Sequence, residues 1–186
     1  MKILAFVASP RKGANTDIFA DKFIEGAKSK SAEIEKIYLN DLQINPCQAC
    51  QGCRETHSCQ KSDDMTTLYE KIQEADGFLF ASPIFWGEAT GQMKIFWDRW
   101  YPYLASDFNI YLKEGKKAVI AFLCGAPVPE MYKPILDRWE QTMSFLGIDV
   151  IDKIEVCGNI EPDSITKNED ALKEAYDSGA KLAGNG

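Results

Sequence analysis

Asp76-Gly77-Phe78-Leu79-Phe80-Ala81-Ser82 is apolar on both alternating faces. A strand with one wet face alternates polar and apolar residues. A strand covered on both faces does not, and it belongs in a parallel sheet with helices above and below. Further strand-like runs are Lys2–Ala8, Glu33–Leu39, Lys117–Cys124 and Ile148–Val156. Between them, apolar residues recur at helical spacing. Ile18, Phe19, Phe23 and Ala27 follow a cap at Asn15 or Thr16. Met65, Leu68, Tyr69 and Ile72 follow Asp63-Asp64, and Met93, Phe96, Trp97 and Trp100 come next. Tyr132–Phe145 stops at Gly147, and Asn168–Ala183 turns Leu172, Ala175, Tyr176 and Leu182 inward. The order βαβαβαβαβα predicts an α/β fold: a doubly wound, five-stranded parallel sheet with helices on both faces and the flavodoxin-like strand order 2-1-3-4-5.

The length of 186 residues predicts a single domain, 1–186, with a cysteine-rich loop insertion at about 40–62. A net charge of −7 argues against nucleic acid or an anionic membrane as partner, since neither has a broad basic surface to meet. The N-terminal run of MKILAFVASPRKG reads as a buried strand rather than a signal peptide, and no segment has the length to span a bilayer. The expected location is cytoplasmic, where thiols stay reduced.

That setting bears on Pro46–Cys59, PCQACQGCRETHSC, which carries Cys47, Cys50, Cys53 and Cys59 in the pattern C-x2-C-x2-C-x5-C. Crowded soft ligands of this kind suit an iron–sulfur cluster, zinc (with His57 as an alternative ligand), or dithiol and disulfide chemistry. The x2 spacings let one tight loop present three corners of a cubane, and Cys59 can close the fourth. A zinc site more often pairs two separated knuckles, and a simple dithiol leaves Cys53 and Cys59 unused. His57 and Cys157 are expected to be a solvated loop residue and a small buried apolar group.

In an open α/β sheet, ligands collect at the carboxyl ends of the strands, which places Ser9–Asn15, Asn40–Ser62, Pro83–Thr90, Cys124–Pro129 and the segment after Cys157 on one edge. Ser9-Pro-Arg-Lys-Gly-Ala-Asn-Thr16 can cradle a phosphate with Ser9, Arg11, Asn15, Thr16 and the N–H groups of a helix start. It lacks the Walker and G-x-G-x-x-G patterns, which disfavours an ATPase or tightly held NAD. Ser82-Pro-Ile-Phe-Trp-Gly87 is aromatic where a surface turn should be polar, as a wall for a flat cofactor would be. Trp86, Trp97, Trp100, Tyr101 and Tyr103 exceed one helix face, which suggests part core and part oligomer interface.

S-P-R-K-G-x-N-T, A-D-G-F-L-F-A-S-P-I-F-W-G and M-K-I-F-W-D-R-W together resemble the NADPH-dependent FMN reductase family. The cysteine stretch followed by Asp63-Asp64-Met65 resembles its iron–sulfur flavoprotein branch. The resemblance implies FMN, with Ser9, Arg11, Asn15 and Thr16 at the phosphate. Pro83, Ile84, Phe85, Trp86 and Gly87 would lie along the ring and ribityl chain, and Cys124 and Gly125 would approach from the fourth strand. It also implies a [4Fe–4S] cluster on Cys47, Cys50, Cys53 and Cys59 that exchanges electrons with FMN. Ala8 and Ala14 stand where the family often has Gly, and Phe85 where Tyr is common.

The expected activity is a flavin-dependent oxidoreductase that assigns no side chain to acid–base catalysis. Its donor would be a small molecule such as NAD(P)H, or a ferredoxin, and its assembly a homo-oligomer (dimer or tetramer). A cluster-free NAD(P)H-dependent FMN or quinone reductase and a non-enzymatic metal-stabilised α/β binding module are the alternatives.

Overall fold

The computed structural model describes residues 1–104 and 106–184. Its sheet runs in the order β2-β1-β3-β5-β6: β2 is Glu33–Tyr38, β1 Lys2–Val7, β3 Gly77–Phe85, β5 Lys117–Leu123 and β6 Asp149–Val156. These five pair in parallel and, numbered among themselves, follow the predicted order 2-1-3-4-5. Gly77–Ser82 is buried throughout, as its unbroken apolar character requires.

Helices cover both faces. On one, Phe19, Phe23 and Ala27 of α1 (Asn15–Lys28) and Ala171, Ala175 and Leu182 of α6 (Glu169–Gly184) pack on Ile3, Ala5, Leu79 and Val119. On the other, α3 (Met65–Glu74), α4 (Gly91–Asp98) and α5 (Lys133–Phe145) supply Leu68, Ile72, Met93, Phe96 and Trp139 against Leu4, Phe6, Phe78, Phe80 and Phe122. Trp97 and Trp100 join this second core through rings 4.8 Å apart, whereas Trp86 is fully exposed and Tyr101 largely so. The inward face of α6 differs from expectation. Tyr176 points outward, and Ser178, bonded to Asp152, and Gly179, where α1 and α6 approach too closely for a larger group, are buried instead.

Two local expectations change. The strand read as ending at Ser82 continues through Pro83, which pairs with Leu123, to Phe85. It then reverses through Trp86-Gly87 into β4 (Glu88–Ala89), pairing Ile84 with Ala89 and Phe85 with Glu88. Both turn residues have positive φ, 52° and 77°, as a two-residue hairpin of this hand requires. The helix cap also shifts. Ala14 takes the cap position with no side-chain bond, and Asn15 is already helical. The Asp17 carboxylate instead accepts the Gly13 N–H at 2.6 Å and the Tyr38 hydroxyl at 2.9 Å, and it pairs with Lys36.

Burial opposes the Asp17 charge, but Gly13, Lys36 and Tyr38 outweigh it and hold the carboxyl below its ordinary 3.8. A depressed folded pKa adds stability above the unfolded value and withdraws it as pH falls through the folded one. The urea midpoint should therefore fall as pH drops below about 4, and this fall should be flatter in Asp17→Asn. Equal slopes in urea titrations of the two proteins would contradict the assignment.

Candidate functional site

The carboxyl ends of β1, β3 and β5 open into a cleft of about 170 Å³. Ser9, Arg11, Asn15, Thr16, Pro83, Ile84, Phe85, Cys124 and Gly125 all line it. Residues separated by more than a hundred positions in sequence thus meet at one edge, as the fold predicts. Trp86 and Gly87, expected along the same wall, do not line the cleft; they form the tip of the β3–β4 hairpin beyond it. Leu123, Ala14, Asn159 and Ile160 complete the lining.

The first loop is curled by Ser9, whose Oγ accepts the Arg11 N–H at 3.1 Å and donates to the Arg11 carbonyl at 3.2 Å. The turn closes at Gly13, φ 72°. The first N–H groups of α1 have no acceptor within their helix, and they face an edge that carries Arg11. Lys12 turns away to pair with Asp41 at 2.5 Å.

Asn15 has a task beyond the one its sequence position suggests. Its Nδ2 donates to the carbonyls of Asn159 (3.1 Å) and Glu161 (2.7 Å), and its Oδ1 accepts the Ile165 N–H at 3.0 Å. The side chain holds the β6–α6 loop, and Asn15 thereby sets the outer wall of the cleft. Asn159 and Ile160 belong to the segment after Cys157 that the sequence places on this edge, and the tie to Asn15 fixes them there.

The cysteine stretch builds a second cavity, of about 100 Å³, lined by Cys47, Cys50, Cys53 and Cys59 together with Arg99, Tyr101 and Pro102. Ala49, Gln51 and His57 adopt positive φ of 52°, 65° and 53°, and these left-handed residues wrap the loop around the thiols. Cys53 opens the short helix α2 (Cys53–Thr56), and His57 stacks on Tyr111 with ring centroids 3.5 Å apart instead of standing in solvent.

The loop is anchored by a group that the sequence did not mark. Arg99, only 1% exposed, donates to Asp63 Oδ2 at 2.6 Å, the Asn45 carbonyl at 2.8 Å and Cys59 Sγ at 3.3 Å. Asp63 also accepts the N–H groups of Asn45 and Met65. Gln43 and Asp64 exchange two further bonds across the same neck. Burial opposes the Arg99 charge, but Asp63, Tyr69 and Cys59 raise its pKa.

The cysteines respond to this setting in opposite senses. Burial alone would push the Cys59 thiol up, yet the Lys61 N–H, the Tyr69 hydroxyl and Arg99 together hold it below its ordinary 9.0. Burial, then the fields of Cys59, Cys47 and Cys50, pushes the Cys53 thiol up. This cavity shares no lining residue with the cleft.

Two ligands at about 2.3 Å from one ion cannot lie more than about 4.6 Å apart. Among the described residues, the only group of three or more metal-ligating side chains within 4.8 Å of one another is Cys124, Glu155 and Cys157. The four thiols of the loop share a cavity, and no three of them lie that close together.

A profile of the NADPH-dependent FMN reductase family matches residues 1–146. An iron–sulfur flavoprotein of Archaeoglobus fulgidus is 34% identical over 183 residues, covering 98% of this chain and 79% of that protein. One from Methanosarcina thermophila is 36% identical over 99 residues, covering 53% of this chain and 52% of the relative. The chain thus spans about half the length of that relative. The solved structure of an NAD(P)H:quinone oxidoreductase from Methanothermobacter marburgensis superposes with a TM-score of 0.78 at 19% identity, covering 98% of this chain and 96% of that one. A flavone reductase superposes with a TM-score of 0.77 at 23% identity, over 99% of this chain and 62% of that one. With the cleft, the flavodoxin-like sheet and these matches together, the chain belongs to the NADPH-dependent FMN reductase family, in the branch whose curated members are called iron–sulfur flavoproteins.

Proposed function

We propose that the protein is a flavin oxidoreductase that holds FMN in the strand-end cleft and a [4Fe–4S] cluster on Cys47, Cys50, Cys53 and Cys59. The observation that carries this reading is the gathering of both residue sets, each into its own cavity. Bound FMN supplies hydride and single-electron chemistry, and a cluster supplies single-electron exchange. The chain's own groups bind and orient. Arg11, Ser9, Thr16 and the first N–H groups of α1 receive the phosphate, while Pro83, Ile84 and Phe85 wall the ring system. Trp86 and Gly87 shape that wall from the hairpin tip. Cys124 and Gly125 close the side toward β5.

In the cysteine cavity, Arg99 stabilises the thiolate form of Cys59 that ligation requires. The donor is NAD(P)H or a reduced ferredoxin-type protein, and the acceptor a small oxidant such as a quinone. Among the described residues no helix is long and apolar enough to cross a membrane. Exposed Trp86, Phe85 and Tyr101 favour self-association into a homo-oligomer.

Protein purified without oxygen should contain flavin and about four iron atoms per chain. Cys53→Ser should lose the iron and keep the flavin, since Cys53 lies outside the cleft. Colourless protein that neither takes up FMN nor retains iron would overturn both assignments. Arg11→Ala should weaken FMN binding by roughly 1.5–3 kcal/mol, the range for a hydrogen bond to a charged group. Unchanged affinity in a fluorescence titration would place the phosphate elsewhere.

A further inference from the structure

We propose that Cys124 and Cys157 form a redox-active dithiol, oxidised by a low-mass disulfide to an intramolecular bond across the ends of β5 and β6. The two Sγ atoms are 3.6 Å apart. Leu123 and Val156 are the last paired residues of their strands, and the Cys124 N–H continues the ladder to the Val156 carbonyl at 2.8 Å. Cys124 and Cys157 therefore follow one another on neighbouring strands, roughly 4.8 Å apart along the sheet. That is inside the Cα separation a disulfide tolerates, and closing to about 2.04 Å needs only a small side-chain rotation.

The surroundings fit exchange better than a resident ion. Each thiol donates to a carbonyl, Cys124 to Ala126 at 3.6 Å and Cys157 to Val128 at 3.5 Å. Glu155, the third member of the cluster, already accepts the Tyr132 N–H at 2.9 Å. Three donors fall short of the four protein ligands of a structural zinc site. Burial, then Cys124 and Glu155, push the Cys157 thiol up to about 12. A thiol held this way exchanges slowly near neutral pH.

Access is one-sided. Cys124 is buried against the cleft, while Cys157 is partly exposed in an open depression beside Pro129, Lys133 and Leu136. The low-mass disulfide RSSR meets Cys157 first. The Cys157 sulfur loses its proton and attacks, the S–S bond of RSSR breaks, and one RSH leaves with a proton. Cys124 then attacks the Cys157 sulfur and loses its own proton, and the second RSH leaves. The two thiols give up two electrons and two protons, and RSSR takes up both.

The test uses the full chain, reduced without oxygen and then equilibrated with mixtures of glutathione and glutathione disulfide. Remaining thiols are trapped with iodoacetamide and mapped by mass spectrometry. The expected result is a linked pair of peptides bearing Cys124 and Cys157, growing with the disulfide fraction and released by dithiothreitol. In Cys157→Ser the link is absent and Cys124 is trapped as a thiol or as a mixed disulfide. Two alkylated thiols at the highest disulfide fraction, or glutathione persisting on Cys157 without a link, would overturn the proposal. So would one equivalent of zinc held by the native chain and lost from Cys157→Ser. Because the map reads sulfur directly, its outcome is independent of whether the protein carries flavin or iron.

Discussion

Arg99→Met should destabilise the protein by about 3–5 kcal/mol, the usual consequence of removing one partner from a buried ion pair. Arg99 and Asp63 side chains are 1% and 3% exposed, so the carboxylate left behind has no water to turn to. The N–H groups of Asn45 and Met65 still reach it, which places the loss within that range rather than above it. Arg99→Met combined with Asp63→Asn should recover part of the stability, because the uncompensated charge is gone. Urea unfolding of the two variants and the parent measures this. A second signal separates it from general loosening: without Arg99 the Cys59 thiol should rise in pKa and alkylate more slowly near neutral pH. A variant of near-native stability and unchanged Cys59 reactivity would contradict the anchoring role.

The second large effect concerns the crossing of α1 and α6. A Cβ on Gly179 would lie 2.0 Å from the Phe23 carbonyl oxygen, and one on Gly26 would lie 1.9 Å from that of Tyr176. Both obstacles are backbone, which cannot rotate away. Helix propensity alone makes Gly179→Ala stabilising by about 1 kcal/mol. Packing makes it destabilising by about 3 kcal/mol or more, the upper end of the overpacking range, so the two effects differ in sign. Thermal or urea unfolding of Gly179→Ala and Gly26→Ala decides between them, and a rise in stability would refute the close crossing. The affected helix follows the loop that Asn15 ties to the cleft, so cofactor affinity should weaken along with stability.

The parallel sheet was legible because its central strands are buried on both faces and therefore read as continuous apolar runs, Gly77–Ser82 most plainly. The hairpin after it was not. Pro83 reads as a loop start since it has no N–H, yet it takes a paired position at the strand end. The cleft was legible to the extent that strand-end loops converge by topology. That places Arg11 beside Ile84 and Cys124 without any contact being foreseen.

What escaped the sequence depends on partners far along the chain. Asn15 was legible as a short polar residue at a helix start, but not its partners, which lie about 150 residues away. Arg99 looked like one cation in an aromatic helix, and its burial follows only from the return of Asp63. Cys157 looked like a small apolar group, because the register of β5 and β6 that sets it beside Cys124 is tertiary information.

The neck formed by Gln43, Asn45, Asp63, Asp64 and Arg99 has a consequence for how this chain can vary. A segment fastened at its base behaves as a cassette, since its ends are fixed whatever it contains. Doubling the length of such a closed loop costs only about 0.6 kcal/mol of chain entropy. Residues between Cys47 and Cys59 could therefore be exchanged for a different ligand set, or shortened, with the sheet and the cleft left standing. The cysteine segment and the sheet that carries the cleft are separable units of change, joined at a neck that buries one guanidinium.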